Sequence, residues 1–471
     1  MDRTDRQTRV GSEDITRVEA MDQSMSEKRV KTKTSEDMNA VIERKTSFDR
    51  FGDDLSELIV SYLTIEDKFR FQCLSKQWRR LVFNKQFVWR LSMDHELSQK
   101  LLFSSNNIQR IKYQEFESCL QKVKNLSDIY IDNIFCNSHT LHIIADNCHQ
   151  LRRLSIPLNR NISDESIEYF GQKCGQNIKS LALDNYLDTS DKEKSKHLLS
   201  LTPKLVSLSV SYFDSKVLFG KVLPQLREFV CFHYNTDDMI ELQNQYFDRL
   251  VTLRLSNPYS SKTQIQLING FKRFRRLQTL EMSLQFSPHF TDEGIHKMFQ
   301  QLSQMADNCP QLRRLSIKMT DSSTKNLFQK HNYLMPFNTF TQLSALDISF
   351  FDYYHKENDI SVSFAHLRQL SQLKHLRICF NGLSDNDFEN IGQYLPQLES
   401  LVIRTEKVLT DKTLQYISEL KRLKSLEIYL ITDSDNEPIS DSGVKQLLDN
   451  CPHIRRLVLN GKKRSEYKRK Y

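Results

Sequence analysis

The sequence predicts an α/β solenoid: short parallel strands in one layer, helices in the other, and a small helical domain before them. Three observations predict it. Between Leu126 and Leu459 the phrase apolar-x-x-apolar-x-apolar occurs thirteen times, as in Leu151-Arg-Arg-Leu154-Ser-Ile156 and Leu312-Arg-Arg-Leu315-Ser-Ile317. A phrase that returns in this way marks stacked units, each too small to bury its own apolar face. Its apolar-x-apolar ending is a strand signal. Its spacing runs from 21 to 35 residues and is mostly 24 to 31, shorter than the roughly 34 to 47 of paired-helix solenoids. Finally, the linkers open like helices. Ser163-Asp164, Thr291-Asp292, Ser384-Asp385, Thr410-Asp411 and Ser440-Asp441 each follow an apolar residue, with another apolar residue four places after the hydroxyl. The hydroxyl can cap a helix and the Asp suits its positive end.

Taken in order, residues 1–47 carry ten acidic and ten basic residues and no aromatic. They cannot bury enough apolar surface to order themselves and read as a disordered leader. Lys28-Arg29-Val30-Lys31-Thr32-Lys33 within them reads as flexible tail, with an import segment as the sharper alternative. From Phe48 to residue 92 the pattern is helical. Leu55, Leu58, Ile59, Tyr62 and Leu63 form one apolar stripe. Thr64 and Asp67 open a second helix, and Ser75-Lys-Gln-Trp78 a third. So short a helical unit has a thin core and leans on something else. Residues 93–125 read as a helical connector, 126–460 as the repeats, and 461–471 as a basic tail. Asp-Asn-Cys at 146–148, 307–309 and 449–451 stands three residues before the next strand phrase.

The net charge of +8 owes +5 to the tail, where six Lys or Arg accompany one Glu. The tail reads by default as a solvated end, with an import patch or an acidic-partner contact as alternatives. The near-balance elsewhere argues against nucleic acid as the main partner. No stretch has the apolar length of a membrane span, and the N-terminus has no secretory character. Nine scattered cysteines, several at leucine-like repeat positions, suggest reduced buried thiols of a cytoplasmic or nuclear protein.

The strand phrase with Asn-Cys resembles the leucine-rich repeat in its cysteine-containing subtype. Phe51-Gly-Asp-Asp-Leu-Ser-Glu-Leu-Ile-Val-Ser-Tyr-Leu63, followed by Asp67, Cys73, Ser75-Lys-x-Trp78, Leu81 and Trp89-Arg90, resembles an F-box; Phe51-Gly52 stands where that family usually has Leu-Pro. The resemblance implies a horseshoe, with the parallel sheet on its concave face, helices on its convex face, and a three-helix F-box before it. It also implies the substrate-receptor subunit of an SCF ubiquitin ligase. The F-box would dock a Skp-family adaptor, and through it a cullin–RING ligase, while the repeats hold the protein to be ubiquitinated. By analogy Leu55, Leu58, Ile59, Leu63, Leu74 and Trp78 line the adaptor contact, although some of them must fill the helical core. The alternative is a leucine-rich-repeat scaffold or inhibitor outside the ubiquitin pathway. An enzyme with a site on the long unit starting at Leu277 is a third reading.

No catalytic residues, cofactor or metal site are expected. The chain lacks the paired Cys and His ligands of a RING, a Gly-rich phosphate loop and a Gly-x-Ser-x-Gly. Cys136, His139, His142, Cys148 and His149 have tempting spacing but fall where a helix is expected, with Leu141 and Ile144 as its apolar positions. They read as helix-surface histidines, with zinc as the lesser alternative. The middle variable position of successive strands runs from Tyr130, Ser155, Ala182, Ser209 and Val230 to Arg254, Glu281, Ser316, Asp347, Arg377, Val402, Glu427 and Val458. The mixed charges of the second half suit a polypeptide partner rather than a polyanion. Arg254, Glu281, Asp347, Arg377, Arg404 and Glu427 are the candidate partner-binding residues there. Phe351, Tyr353 and Tyr354, from the run Phe350-Phe-Asp-Tyr-Tyr-His355, complete the set as an aromatic recognition loop, unless they tuck into the core.

Overall fold

The computed structural model describes residues 52–63, 71, 74–82, 89–93, 126–131, 136–183, 189–213, 223–246, 248–256, 274–286, 291–321, 334–352, 362–430 and 439–459. The leader, the second F-box helix, the connector and the basic tail expected from the sequence lie outside these. The chain divides into two compact units, residues 1–91 and 92–471.

The first unit holds α1 (Asp53–Tyr62) and α2 (Lys76–Val82), with strand β1 (Trp89–Met93) following at its boundary. Asp53 and Asp54 occupy the first turn of α1, where carboxylates oppose the helix dipole. The Ser75 hydroxyl caps α2 by accepting from the Trp78 N–H at 3.0 Å. Asp53 ties the helices together, accepting from both Arg80 Nη2 and Gln77 Nε2 at 2.8 Å. Ser56, Val60, Trp78 and Leu81 are buried.

In the second unit thirteen strands follow one another in sequence order and pair in parallel: β2 (Leu126–Ile131), β3 (Arg153–Ile156), β4 (Ser180–Leu183), β5 (Ser207–Phe213), β6 (Glu228–Tyr234), β7 (Thr252–Leu255), β8 (Thr279–Phe286), β9 (Arg314–Asp321), β10 (Ala345–Asp352), β11 (His375–Cys379), β12 (Ser400–Thr405), β13 (Ser425–Leu430) and β14 (Arg456–Leu459). The sheet is open, and register is kept from unit to unit. Leu346 stands beside Leu376, Leu376 beside Leu401, and Leu401 beside Leu426. The alternation of buried and outward positions explains this, since a one-residue slip would turn every leucine to the wrong face. A second ladder runs just before the strands. Arg227 N–H reaches Val206 O, Val251 N–H reaches Arg227 O, and Gln278 N–H reaches Val251 O, at 2.7 to 2.8 Å.

Behind the strands stand α3 (Ser138–Asn147), α4 (Asp164–Cys174), α5 (Thr189–Ser200), α6 (Thr236–Tyr246), α7 (Asp292–Asn308), α8 (Ile391–Tyr394), α9 (Asp411–Ile417) and α10 (Asp441–Asn450). Ser163, Thr291, Thr410 and Ser440 cap α4, α7, α9 and α10. The fifth expected helix differs. Ser384 heads only a 3-10 turn, Asp385–Phe388. The Asp387 carboxylate closes a capping box on it, and Asn390 then takes a left-handed conformation at φ 60°, which stops the helix before α8. The linkers before β10 and β11 likewise hold 3-10 turns, Met335–Phe337 and Phe364–Leu367. Cys148, Cys309 and Cys451 are the C-caps of α3, α7 and α10 and are buried.

All seven described cysteines are free and buried. Burial pushes the Cys136 and Cys309 thiols up to about 12 and Cys174 to about 11, so these sulfurs are unreactive packing groups. Among the described residues no helix is long and apolar enough to cross a membrane.

Candidate functional site

Two surfaces carry exposed groups that the core does not use. The first lies on the helical unit. Helix α1 buries Ser56 and Val60 and turns other residues outward: Leu55 is 46% exposed, Leu58 53% and Tyr62 81%, and Leu74, just before α2, is 44% exposed. Ile59 and Leu63 are half-buried. Four large apolar side chains exposed on so small a unit are unusual unless they meet a partner. Trp78, expected on the same contact, is 3% exposed and sits in the core with Val60 and Leu81. It is the third residue of α2 and, with Leu81 three residues on, forms that helix's buried side. Tyr62, part of the stripe read from the sequence but not assigned to the contact, is its most exposed member.

The second surface is the outward face of the sheet. The residues expected at its centre do form a row. Arg254 pairs in register with Glu281, Glu281 with Ser316, Ser316 with Asp347, Asp347 with Arg377, Arg377 with Val402, and Val402 with Glu427. Arg404 stands on the same face, next to Tyr429 in the neighbouring strand. The charges are partly paired. Arg254 Nε lies 3.0 Å from Glu281 and Arg377 Nε 3.9 Å from Asp347. Arg404 lies over the Tyr429 ring at 4.9 Å; the Tyr429 hydroxyl donates to Glu427 at 2.7 Å, and Glu427 pairs with Arg456 at 2.8 Å. Burial raises the Asp347 carboxyl against the opposing pull of Arg377. A groove of about 300 Å³ crosses this region, with Glu281, Ser316, Asp347, Arg377 and Val402 along it. The Nε atoms of Arg377 and Arg404 are buried without a hydrogen-bond acceptor.

The row is not one compact site. Arg254 on β7 and Glu427 on β13 are six strands apart, about 29 Å at the usual spacing. Sequence reading missed Glu228, Tyr429 and Arg456, which share the face because outward positions recur every second residue. The signal was present two residues before or after the middle position of each strand. Phe350 is buried and stacks on Phe380 at 5.9 Å between centroids, so the first aromatic of the expected loop belongs to the core. Phe351 contributes backbone to β10, its side chain lying outside the described residues, as do Tyr353 and Tyr354 entirely.

Among the described residues no group of His, Cys, Asp or Glu is placed to hold a metal. In the cluster singled out from its spacing, Cys136 and Cys148 point into the core, and His142 packs edge-on to Tyr169 at 4.8 Å.

Residues 48–90 match the F-box domain family. No curated protein sequence matches the chain. Among solved structures, the chain resembles that of the complex of Rad7 and Elc1 in yeast at 13% identity and TM-score 0.37, covering 98% of this chain and 97% of that one. It also resembles the leucine-rich-repeat-containing protein LegL7 from Legionella pneumophila at 14% identity and TM-score 0.39, over 62% of this chain and 96% of that one. Likenesses this distant add nothing on function, and the strand order and register stand on their own. The chain thus carries a segment that matches the F-box family, followed in sequence by an open solenoid of parallel strands backed by helices.

Proposed function

We propose that the protein is a substrate-receptor subunit of an SCF-type ubiquitin ligase. Leu55, Leu58, Tyr62 and Leu74, edged by Ile59 and Leu63, dock a Skp-family adaptor that leads to a cullin–RING ligase. Trp78 supports this patch from within. The sheet face, with Arg254, Glu281, Asp347, Arg377, Arg404 and Glu427, holds the protein to be ubiquitinated, and Phe351, Tyr353 and Tyr354 extend that surface. The reading rests chiefly on one observation: the segment matching the F-box family turns leucines and a tyrosine outward that its own core leaves uncovered.

The chain's part is to bind and position rather than to transfer ubiquitin. A thioester needs an accessible thiol of lowered pKa, whereas the described cysteines are buried and burial raises those whose titration shifts.

Co-expression with a Skp-family adaptor tests the proposal. The wild type is expected to co-purify with it. Leu55→Asp with Leu58→Asp, at exposed positions, is expected to abolish the complex while leaving the thermal midpoint unchanged, because the cost of burying unpaired carboxylates falls on the interface alone. A wild type that brings down no adaptor overturns the reading.

A further inference from the structure

A second cluster of charge lies away from the sheet face, in the turns that lead into β6, β7 and β8. Leu226, Leu250 and Leu277 anchor these turns and are fully buried. The backbone ladder from Arg227 through Val251 to Gln278 holds them side by side. Pro224, Arg227, Asp248, Arg249, Arg275 and Arg276 thereby line a single depression of about 310 Å³.

Its charge is unbalanced. Among the described residues four guanidiniums face one carboxylate, a net of three positive charges. Asp248 is already engaged, at 3.5 Å from Arg249 Nε. The Arg227 guanidinium donates only to the carbonyl of its neighbour Leu226, at 3.3 Å, among the described residues. Arg275 and Arg276 have no ion pair or hydrogen bond among the described residues. On the sheet face, by contrast, Arg254, Arg377 and Arg456 each stand against an acid. Like charges gathered in one concavity repel, and an anion that enters relieves the repulsion. Guanidinium groups are planar and hold phosphoryl oxygens in pairs.

We propose that this depression is a binding site for a small, multiply phosphorylated anion. The charge count selects that class. A carboxylate brings one negative charge and a phosphorylated side chain about two, and both leave the site cationic. An anion with two or more phosphoryl groups balances it. The site is independent of the adaptor-docking patch and of the sheet-face row.

Isothermal titration of the full-length chain tests this, with inorganic phosphate, tripolyphosphate, a phosphoserine peptide and a single-stranded oligonucleotide as probes. Tripolyphosphate is expected to bind at one site, more tightly than phosphate or the peptide, and more weakly as salt rises. Arg275→Glu with Arg276→Glu, both on the surface, is expected to weaken it at least about tenfold with an unchanged melting temperature. Arg455→Glu, exposed elsewhere on the unit, leaves it unaltered. Absence of tripolyphosphate binding, equal binding by the double variant, or equal or tighter binding of the peptide or oligonucleotide would overturn the assignment.

Discussion

An alanine at position 443 would place its Cβ 2.2 Å from Oδ1 of Asp411. Asp411 cannot easily give way. It accepts from the Ser440 N–H at 2.8 Å and the Ser440 hydroxyl at 2.5 Å, so it holds the helix cap of the following repeat. Asp385 does the same one repeat earlier, accepting from the Thr410 N–H at 2.9 Å and its hydroxyl at 2.7 Å. Gly443→Ala is therefore expected to cost about 1–3 kcal/mol, read as a lower midpoint in urea. A pH dependence follows from Asp385. Burial pushes its carboxyl up, but the hydrogen bonds from Thr410 and Thr413 outweigh this and hold it below the usual carboxylate range. A carboxyl depressed in the folded state stabilises above its unfolded pKa, and that stability fades as pH falls below about 4. Asp385→Asn should lower the melting temperature at pH 7, and its further loss on acidification should be smaller than that of the wild type. The Ser/Thr-Asp pairs were visible in the sequence as local caps. That Asp385 and Asp411 also grip the next cap was not, because the partners are 25 and 29 residues apart.

Single elements show where periodicity suffices and where it fails. The strands were readable because each buries its leucine positions and turns the residues between outward, and every middle position expected on the sheet face pairs in register. Leu376, 1% exposed between β10 and β12, illustrates the energetics. Leu376→Ala is expected to cost about 2–5 kcal/mol in a denaturant titration. Thr291 caps the 17-residue α7, accepting from the Gly294 N–H at 3.1 Å; Thr291→Ala should cost about 1 kcal/mol by the same measurement. The Arg80–Asp53 contact between α1 and α2 is more than half exposed on average, so Arg80→Ala should change stability by less than about 1 kcal/mol. Reading failed at Ser384, whose motif matches the other four. There Glu389 leaves the helical region at ψ 132° and Asn390 is left-handed, so the turn ends early despite its capping box, and a local cap signature says nothing of how far a helix runs.

At the scale of the whole chain, the sequence showed an apolar helical stripe followed by an array of strands, but not which stripe residues face out. Leu55, Leu58, Val60 and Tyr62 lie within three turns of one helix, yet Val60 is wholly buried and Tyr62 is 81% exposed. Which of them meets solvent depends on where α2 sets Trp78 and Leu81, a tertiary matter that spacing leaves open. The exposed patch is what gives the F-box match its physical meaning, since those side chains stay in water until something covers them.

The most direct test of that claim is the mass of the assembly. Light scattering on a size-exclusion column, with the purified 55.6 kDa chain mixed with a Skp-family adaptor and a cullin, should show a single peak whose mass is the sum of one copy of each. The Leu55→Asp, Leu58→Asp variant should elute separately from an adaptor–cullin pair. A wild-type chain that elutes alone at its own mass would contradict the account.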